Sequence, residues 1–190
     1  MGEASRSAPE KATSGSRAEL RSRLKHLEGE LEEVRRRLWA LGPGTLPGVH
    51  LVVEAAGRRV LLSASRVTEV VRLVALSPLP GAPPHVRGTF VYRGVPVVAI
   101  DLRSLFGARD DPDLDAQIVI LSGTPALGLL VDRVSHLLED PELYEGDVGA
   151  EKPDGFGESG LSFGLCACGG AVLPVIDPGA IAARLWGRTA

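Results

Sequence analysis

Arg93-Gly94-Val95-Pro96-Val97-Val98-Ala99-Ile100-Asp101 is an apolar, β-branched run entered through a tight Arg-Gly turn and closed by an aspartate. Such a run reads as a buried strand, and an aspartate after it is suited to cap a following helix. Gly169-Gly170-Ala171-Val172-Leu173-Pro174-Val175-Ile176-Asp177 repeats the pattern. A second echo lies upstream of each: Leu61-Leu62-Ser63-Ala64-Ser65-Arg66-Val67-Thr68 and Leu129-Leu130-Val131-Asp132-Arg133-Val134-Ser135. The two echoes predict two related small barrels side by side.

Working outward, short β-type runs fill the chain from His50 onward. They are Leu51–Glu54, Val60–Leu62, Glu69–Leu73, Val86–Tyr92, Val95–Asp101, Gln117–Ser122, Ala126–Val131, Val134–Glu139, Ser162–Cys168 and Ala171–Ile176. Turn clusters separate them: Ala56-Gly57, Pro80-Gly81, Arg93-Gly94, Gly123-Thr124-Pro125 and Gly169-Gly170. With 23 Gly and 14 Pro in 190 residues, frequent turns are expected throughout. The class is all-β, barrel or sandwich. Aromatics are only 4% against 44% hydrophobic residues overall, so the core must be aliphatic. Two short helices fit, Leu102–Phe106 and Pro178–Trp186, each following a capping aspartate.

The N-terminal region reads differently. Residues 1–15, rich in Ser, Ala, Gly and charge, are expected to be disordered. Ser16 and Glu19 form an S-x-x-E capping box, which predicts a helix start, and Gly42-Pro43-Gly44 predicts its end. Between them Leu20, Leu24, Leu27, Leu31, Val34, Leu38 and Leu41 recur at alternating spacings of four and three. That is a heptad, with Leu24, Leu31 and Leu38 at a and Leu20, Leu27, Val34 and Leu41 at d. A coiled-coil helix over 16–42 follows. Its stripe could pair with a second copy, with a partner's helix, or with the chain's own β domain. Trp39, at the outward b position, would be exposed in a simple dimer, and Gly29 weakens an isolated helix.

A net charge of −3 offers no reason to expect nucleic acid. No apolar run is long enough to insert in a membrane and no signal core is present, so a cytoplasmic protein is expected. Cys166 and Cys168, two apart on a strand, should point to one face as small buried hydrophobes. Catalytic and metal chemistry find no foothold. Gly155-Phe156-Gly157-Glu158-Ser159-Gly160 is formally G-x-G-x-x-G, but Lys152-Pro153-Asp154 precedes it and no helix follows to receive a pyrophosphate. His26, His50, His85 and His136 are scattered. Asp110, Asp111, Asp113 and Asp115 lack the glycine and terminal glutamate of a calcium loop and read as a solvated linker. No catalytic residue, metal or cofactor is expected, and the chain is not read as an enzyme.

Several ordered segments resemble the CheW family of chemotaxis coupling proteins. They are Arg66-Val67-Thr68-Glu69-Val70-Val71-Arg72, Leu79-Pro80-Gly81-Ala82-Pro83, Gly88, Arg93-Gly94-Val95-Pro96-Val97-Val98, Asp101-Leu102-Arg103 and Gly128-Leu129-Leu130-Val131-Asp132-Arg133-Val134. The resemblance covers about residues 48–187. It implies two five-stranded, SH3-like β-barrel subdomains, in agreement with the ten runs and the echo. It also implies a non-enzymatic adaptor between the cytoplasmic hairpin tip of a methyl-accepting chemoreceptor and the regulatory domain of a CheA-type histidine kinase. The receptor tip would dock in the groove between barrels, with Val67, Glu69 and Arg93 in the contacting region. Where the family has Asn-Leu ahead of Arg-Gly, this chain has Val91-Tyr92. Two other readings stay open: a homologue that binds only receptor or only kinase, and a ligand-sensing barrel with the glycine-rich loop as a lid.

Overall fold

A computed structural model describes residues 12–40, 44–123, 125–144 and 162–181, though not the side chains of 12–16, 18, 32, 35, 36, 38–40 and 163. The chain divides into an N-terminal unit and a β unit beginning at Pro43. In the first, helix α1 spans Ala12–Ala40. It therefore starts four residues before Ser16, which lies inside the helix rather than capping it. Of the tail expected at 1–15, residues 12–15 are helical instead and 1–11 lie outside the described residues, as do Leu41 and the stop at Gly42-Pro43.

In the β unit all ten expected runs are strands, and an eleventh is added. They are β1 (Val49–Ala55), β2 (Arg58–Ser63), β3 (Val67–Arg72), β4 (Val86–Tyr92), β5 (Val95–Asp101), β6 (Gln117–Leu121), β7 (Ala126–Val131), β8 (Arg133–Glu139), β9 (Glu142–Leu143), β10 (Ser162–Cys168) and β11 (Ala171–Ile176). Helix α2 (Leu102–Leu105) follows β5, and Asp101 caps it by accepting from the Arg103 and Ser104 amides at 2.9 and 3.3 Å. Residues 178–181 are helical after Asp177, which accepts from the Gly179 amide at 2.7 Å. The rest of that expected helix, and the glycine-rich loop at 155–160, lie outside the described residues.

The strands form two sheets, in the orders β8-β1-β2-β11-β10-β9 and β3-β6-β7-β5-β4. The echo explains this arrangement. Matching β1 to β6, β2 to β7, β3 to β8, β4 to β10 and β5 to β11 maps one order onto the other, apart from β9. Each sheet contains the first two strands of one repeat and the last three of the other. The echoed strands meet crosswise and in parallel: β5 with β7 (Val97↔Ala126 through Asp101↔Leu130), and β11 with β2 at Val175↔Leu61. The repeats have exchanged their third to fifth strands.

Five strands per barrel were expected, and the sixth in the first sheet is a continuation of β8. The chain bends at Asp140, a non-glycine at φ 44°, and Pro141, then pairs again as β9 with β10. The stretch before β1 pairs with the same segment, Leu46 N donating to Pro141 O at 2.8 Å and Leu143 N to Gly44 O at 2.9 Å. Backbone bonds thus carry the first barrel around to its starting strand. In the second sheet, side chains on the two edge strands β3 and β4 meet instead.

Alternation along the central strands fills three spaces. Leu51, Val53, Val60, Leu62 and Ile176 from the first sheet pack against Ile100, Val119, Leu121, Leu129 and Val131 from the second, as one shared core. Opposite faces line the barrels' own interiors: Val52, Leu61, Cys166, Leu173 and Val175 in the first, and Ile118, Ile120 and Leu130 in the second. Strands buried on both faces read as unbroken apolar runs, as residues 118–121 and 126–131 do. Two family-motif glycines are required by close approach. A Cβ on Gly128 would sit 2.6 Å from Ile118 Cγ2, and one on Gly88 would overlap the Ser77 carbonyl oxygen.

An ionic clamp ties the crossover between the sheets. Arg103, only 3% exposed, pairs with Asp110 at 2.5 Å and places its Nε 2.9 Å from Asp132. Asp132 sits between β7 and β8, where the chain passes from one sheet to the other, and also accepts from the Ala56 amide at 2.7 Å. Arg87 joins Asp101 at 3.2 Å to Asp111 at 3.1 Å. Asp110 and Asp111 are exposed, as expected of a solvated linker, and each also pairs with an arginine of the β domain. Asp132→Ala removes one of the two carboxylates beside the buried Arg103 and also the acceptor of the Ala56 amide. It should cost about 2 kcal/mol in urea unfolding, and Arg103→Met, which removes the buried charge itself, distinctly less. Equal losses for the two variants would show that the clamp contributes only packing.

A candidate protein-binding surface

Strands β4 and β5 are joined by Arg93 and Gly94 alone, at φ 48° and 79°. Two residues with positive φ make the primed turn whose twist matches a hairpin. Glycine takes that conformation freely, whereas arginine does so at a cost and is held there by its neighbours. Arg93 Nη2 lies 2.7 Å from Glu69 Oε2 on β3, and its guanidinium stacks 5.2 Å from the Tyr92 ring centre. The Tyr92 hydroxyl donates to the same Glu69 oxygen. Each contact alone contributes about 1 kcal/mol or less at an exposed site. Together they join the two edge strands of the second sheet and fix where the charged groups stand.

The register explains which face they share. Tyr92 pairs with Val95 and Phe90 with Val97, so these four point to one side of the hairpin. Phe90 and Tyr92 pack on the second barrel's core, as does Val71, two residues beyond Glu69. At the tip, Val91 is 73% exposed and Val95 51% exposed. Val95 shares the Tyr92 side and Val91 the opposite one, so Arg93 and Glu69 stand at a tip with one uncovered valine on each side.

Of the three residues singled out in the sequence, the structure brings Glu69 and Arg93 together and sets Val67 apart. A bulge between Val67 and Glu69 lets Val67 and Val70, three apart, both pack on the shared core. Val67 is half-buried there. The space between the sheets is filled by that core, so a partner helix would lie on its outer margin. Tyr92 was missed by sequence reasoning. Its signal was available: a tyrosine replaces the family leucine next to the turn, where a hydroxyl can reach a neighbouring strand.

Other titratable groups fall outside this surface. Cys166 is buried, and desolvation pushes its thiol up to about 12, with Cys168 adding to the effect. Burial also raises Cys168, opposed by Arg59. His50 is buried with Nδ1 2.9 Å from Gly48 O, while His26 and His136 are exposed. Among the described residues no group of three or more His, Cys, Asp or Glu is placed to hold a metal ion. No helix among them is long and apolar enough to cross a membrane.

Donation to Glu69 stabilises the neutral phenol and raises Tyr92 above its ordinary value, with desolvation and the Glu69 charge adding and Arg93 opposing. The signs give a direct check by tyrosinate absorbance in a Tyr144→Phe background. Glu69→Ala should lower the Tyr92 midpoint, and Arg93→Ala should raise it. A midpoint indifferent to Glu69 would show that the bond does not form in solution.

The comparisons with known proteins agree with this architecture. A family model described as the CheW-like domain matches residues 50–184. The scaffolding protein TtCheW from Thermoanaerobacter tengcongensis is similar in structure, with a TM-score of 0.58 and 23% identity over 70% of this chain and 85% of that one. A search of curated proteins finds no significant match. The family match spans most of the chain and coincides with the two-sheet unit, so this protein belongs to the CheW-like family.

Proposed function

We propose that this protein is a non-enzymatic scaffold that couples the cytoplasmic hairpin tip of a chemoreceptor to a CheA-type histidine kinase, in the cytoplasm. The observation that carries the reading is the Glu69–Tyr92–Arg93 cluster at an exposed hairpin tip flanked by Val91 and Val95. A helical hairpin presents an apolar face bordered by polar groups. Against it, Val95, on the Tyr92 side, supplies area that leaves water, and Arg93 and Glu69 set the register. Val67, on the margin of the shared core, is assigned to the same contact region. Because the cluster is held by its own contacts, little side-chain freedom is lost on docking. The kinase's regulatory domain is assigned to the other available mode, barrel against barrel.

Separate binding measurements with a receptor-tip fragment and with a kinase regulatory domain test the two halves. Arg93→Glu should weaken receptor binding at least about tenfold while leaving kinase binding within about twofold. Circular dichroism of the variant should match that of the parent. Receptor affinity unchanged by Arg93→Glu would remove the hairpin tip from the contact, and binding of only one partner by the parent chain would reduce the assignment to a one-sided adaptor.

A further inference from the structure

We propose that α1 forms a parallel two-stranded coiled coil with a second copy of this chain. The helix carries an uncovered apolar stripe: Leu20 is 63% exposed, Leu24 58%, Leu27 51%, Leu31 47% and Val34 51%. These residues occupy successive d and a positions, which makes the stripe a seam rather than a scatter of surface leucines. Arg17, one heptad before Leu24, marks its N-terminal limit. An isolated helix of this composition is marginal in water, and a partner along the seam is what stabilises it.

Charge beside the seam selects the partner. The g positions hold Arg23 and Glu30, and the e positions five residues on hold Glu28 and Arg35. In a parallel pair of identical helices Arg23 faces Glu28 of the other copy and Glu30 faces Arg35. The two-fold axis repeats both contacts. The helix is therefore self-complementary in this orientation. A centred antiparallel pair would oppose Arg21 to Arg35 and Glu28 to its own copy, so like charges would meet. Pairs within one helix already link its c and g positions, Glu33 with Arg37 at 3.0 Å and His26 with Glu30 at 3.4 Å. Such pairs support the helix without covering the leucines. Gly29 falls at the outward f position, where a Cβ would meet nothing within 4 Å. It weakens the helix without touching the seam. A parallel seam brings both Ala40 ends to one end, from which each chain continues into its own β domain, so the scaffold becomes bivalent.

Light scattering of the full chain at tens of micromolar should give twice the 20.0 kDa of one chain. Arg23→Glu should raise the dimer dissociation constant roughly tenfold by setting Glu against Glu, and adding Glu28→Arg should restore it. Gly29→Ala should tighten the dimer roughly tenfold, since both helices gain. All three variants lie on the exposed helix, and a circular dichroism spectrum checks that the β domain is retained. A single-chain mass at every concentration would overturn the proposal and leave the seam to another protein's helix. A dimer that the double exchange fails to restore would overturn the parallel arrangement.

Discussion

The packing of one sheet's inner face on the other's is the contact that everything else in the β unit relies on. Val53, Leu62 and Ile176 meet Val119, Leu129 and Ile100 in a single core, all fully or almost fully withdrawn from water. Each such side chain contributes about 1.5–3 kcal/mol by leaving water. What makes the core common to both barrels is strand exchange. The strands facing it come from both repeats in both sheets, so neither barrel can be assembled from one half of the chain. The ionic clamp at Arg103 and Asp132 sits where the chain changes sheets, and it compensates the charge that this crossing buries.

Rigidity at the core is what lets the hairpin tip act as a surface of fixed shape. Arg93 holds a backbone conformation that arginine seldom takes, and it does so because Glu69 reaches it from the strand at the far edge of the same sheet. That reach exists only when the second sheet is curled so that β3 and β4 come together. The surface is thus a product of barrel closure. Tyr92 reinforces the same junction, its ring on the barrel core and its hydroxyl on Glu69. A chain with leucine at this place would keep the packing and lose the bond.

Much of the fold was legible because period-two apolarity and turn residues are local signals. All ten strands in the sequence reading exist, and capping by Asp101 and Asp177 follows from their position ahead of short helices. β9 was not legible: two residues after Asp140-Pro141 give no period to read. The helix start was misplaced because Ala12 to Ser16 carry no stripe, and a capping motif inside a helix looks the same as one at its end. Partner choice among strands was beyond local reading altogether. The echo revealed two related units, yet nothing in either repeat says that its third to fifth strands cross to the other. Long-range charge pairs failed for the same reason. Asp110 and Asp111 look like any acidic loop until folding sets Arg103 and Arg87 beside them. Glu69 and Arg93 came from the family resemblance, whereas their mutual contact through Tyr92 required the structure.

A shared core built by exchange has one decisive consequence: the two barrels must open together. Hydrogen exchange under increasing denaturant reads this directly, through the central amides of β2 and β11 in one sheet and of β6 and β7 in the other. Both sets should lose protection at the same denaturant concentration and with the same dependence on it. If one sheet's amides exchange freely while the other's remain protected, the barrels are independent modules and the shared core does not hold the molecule together.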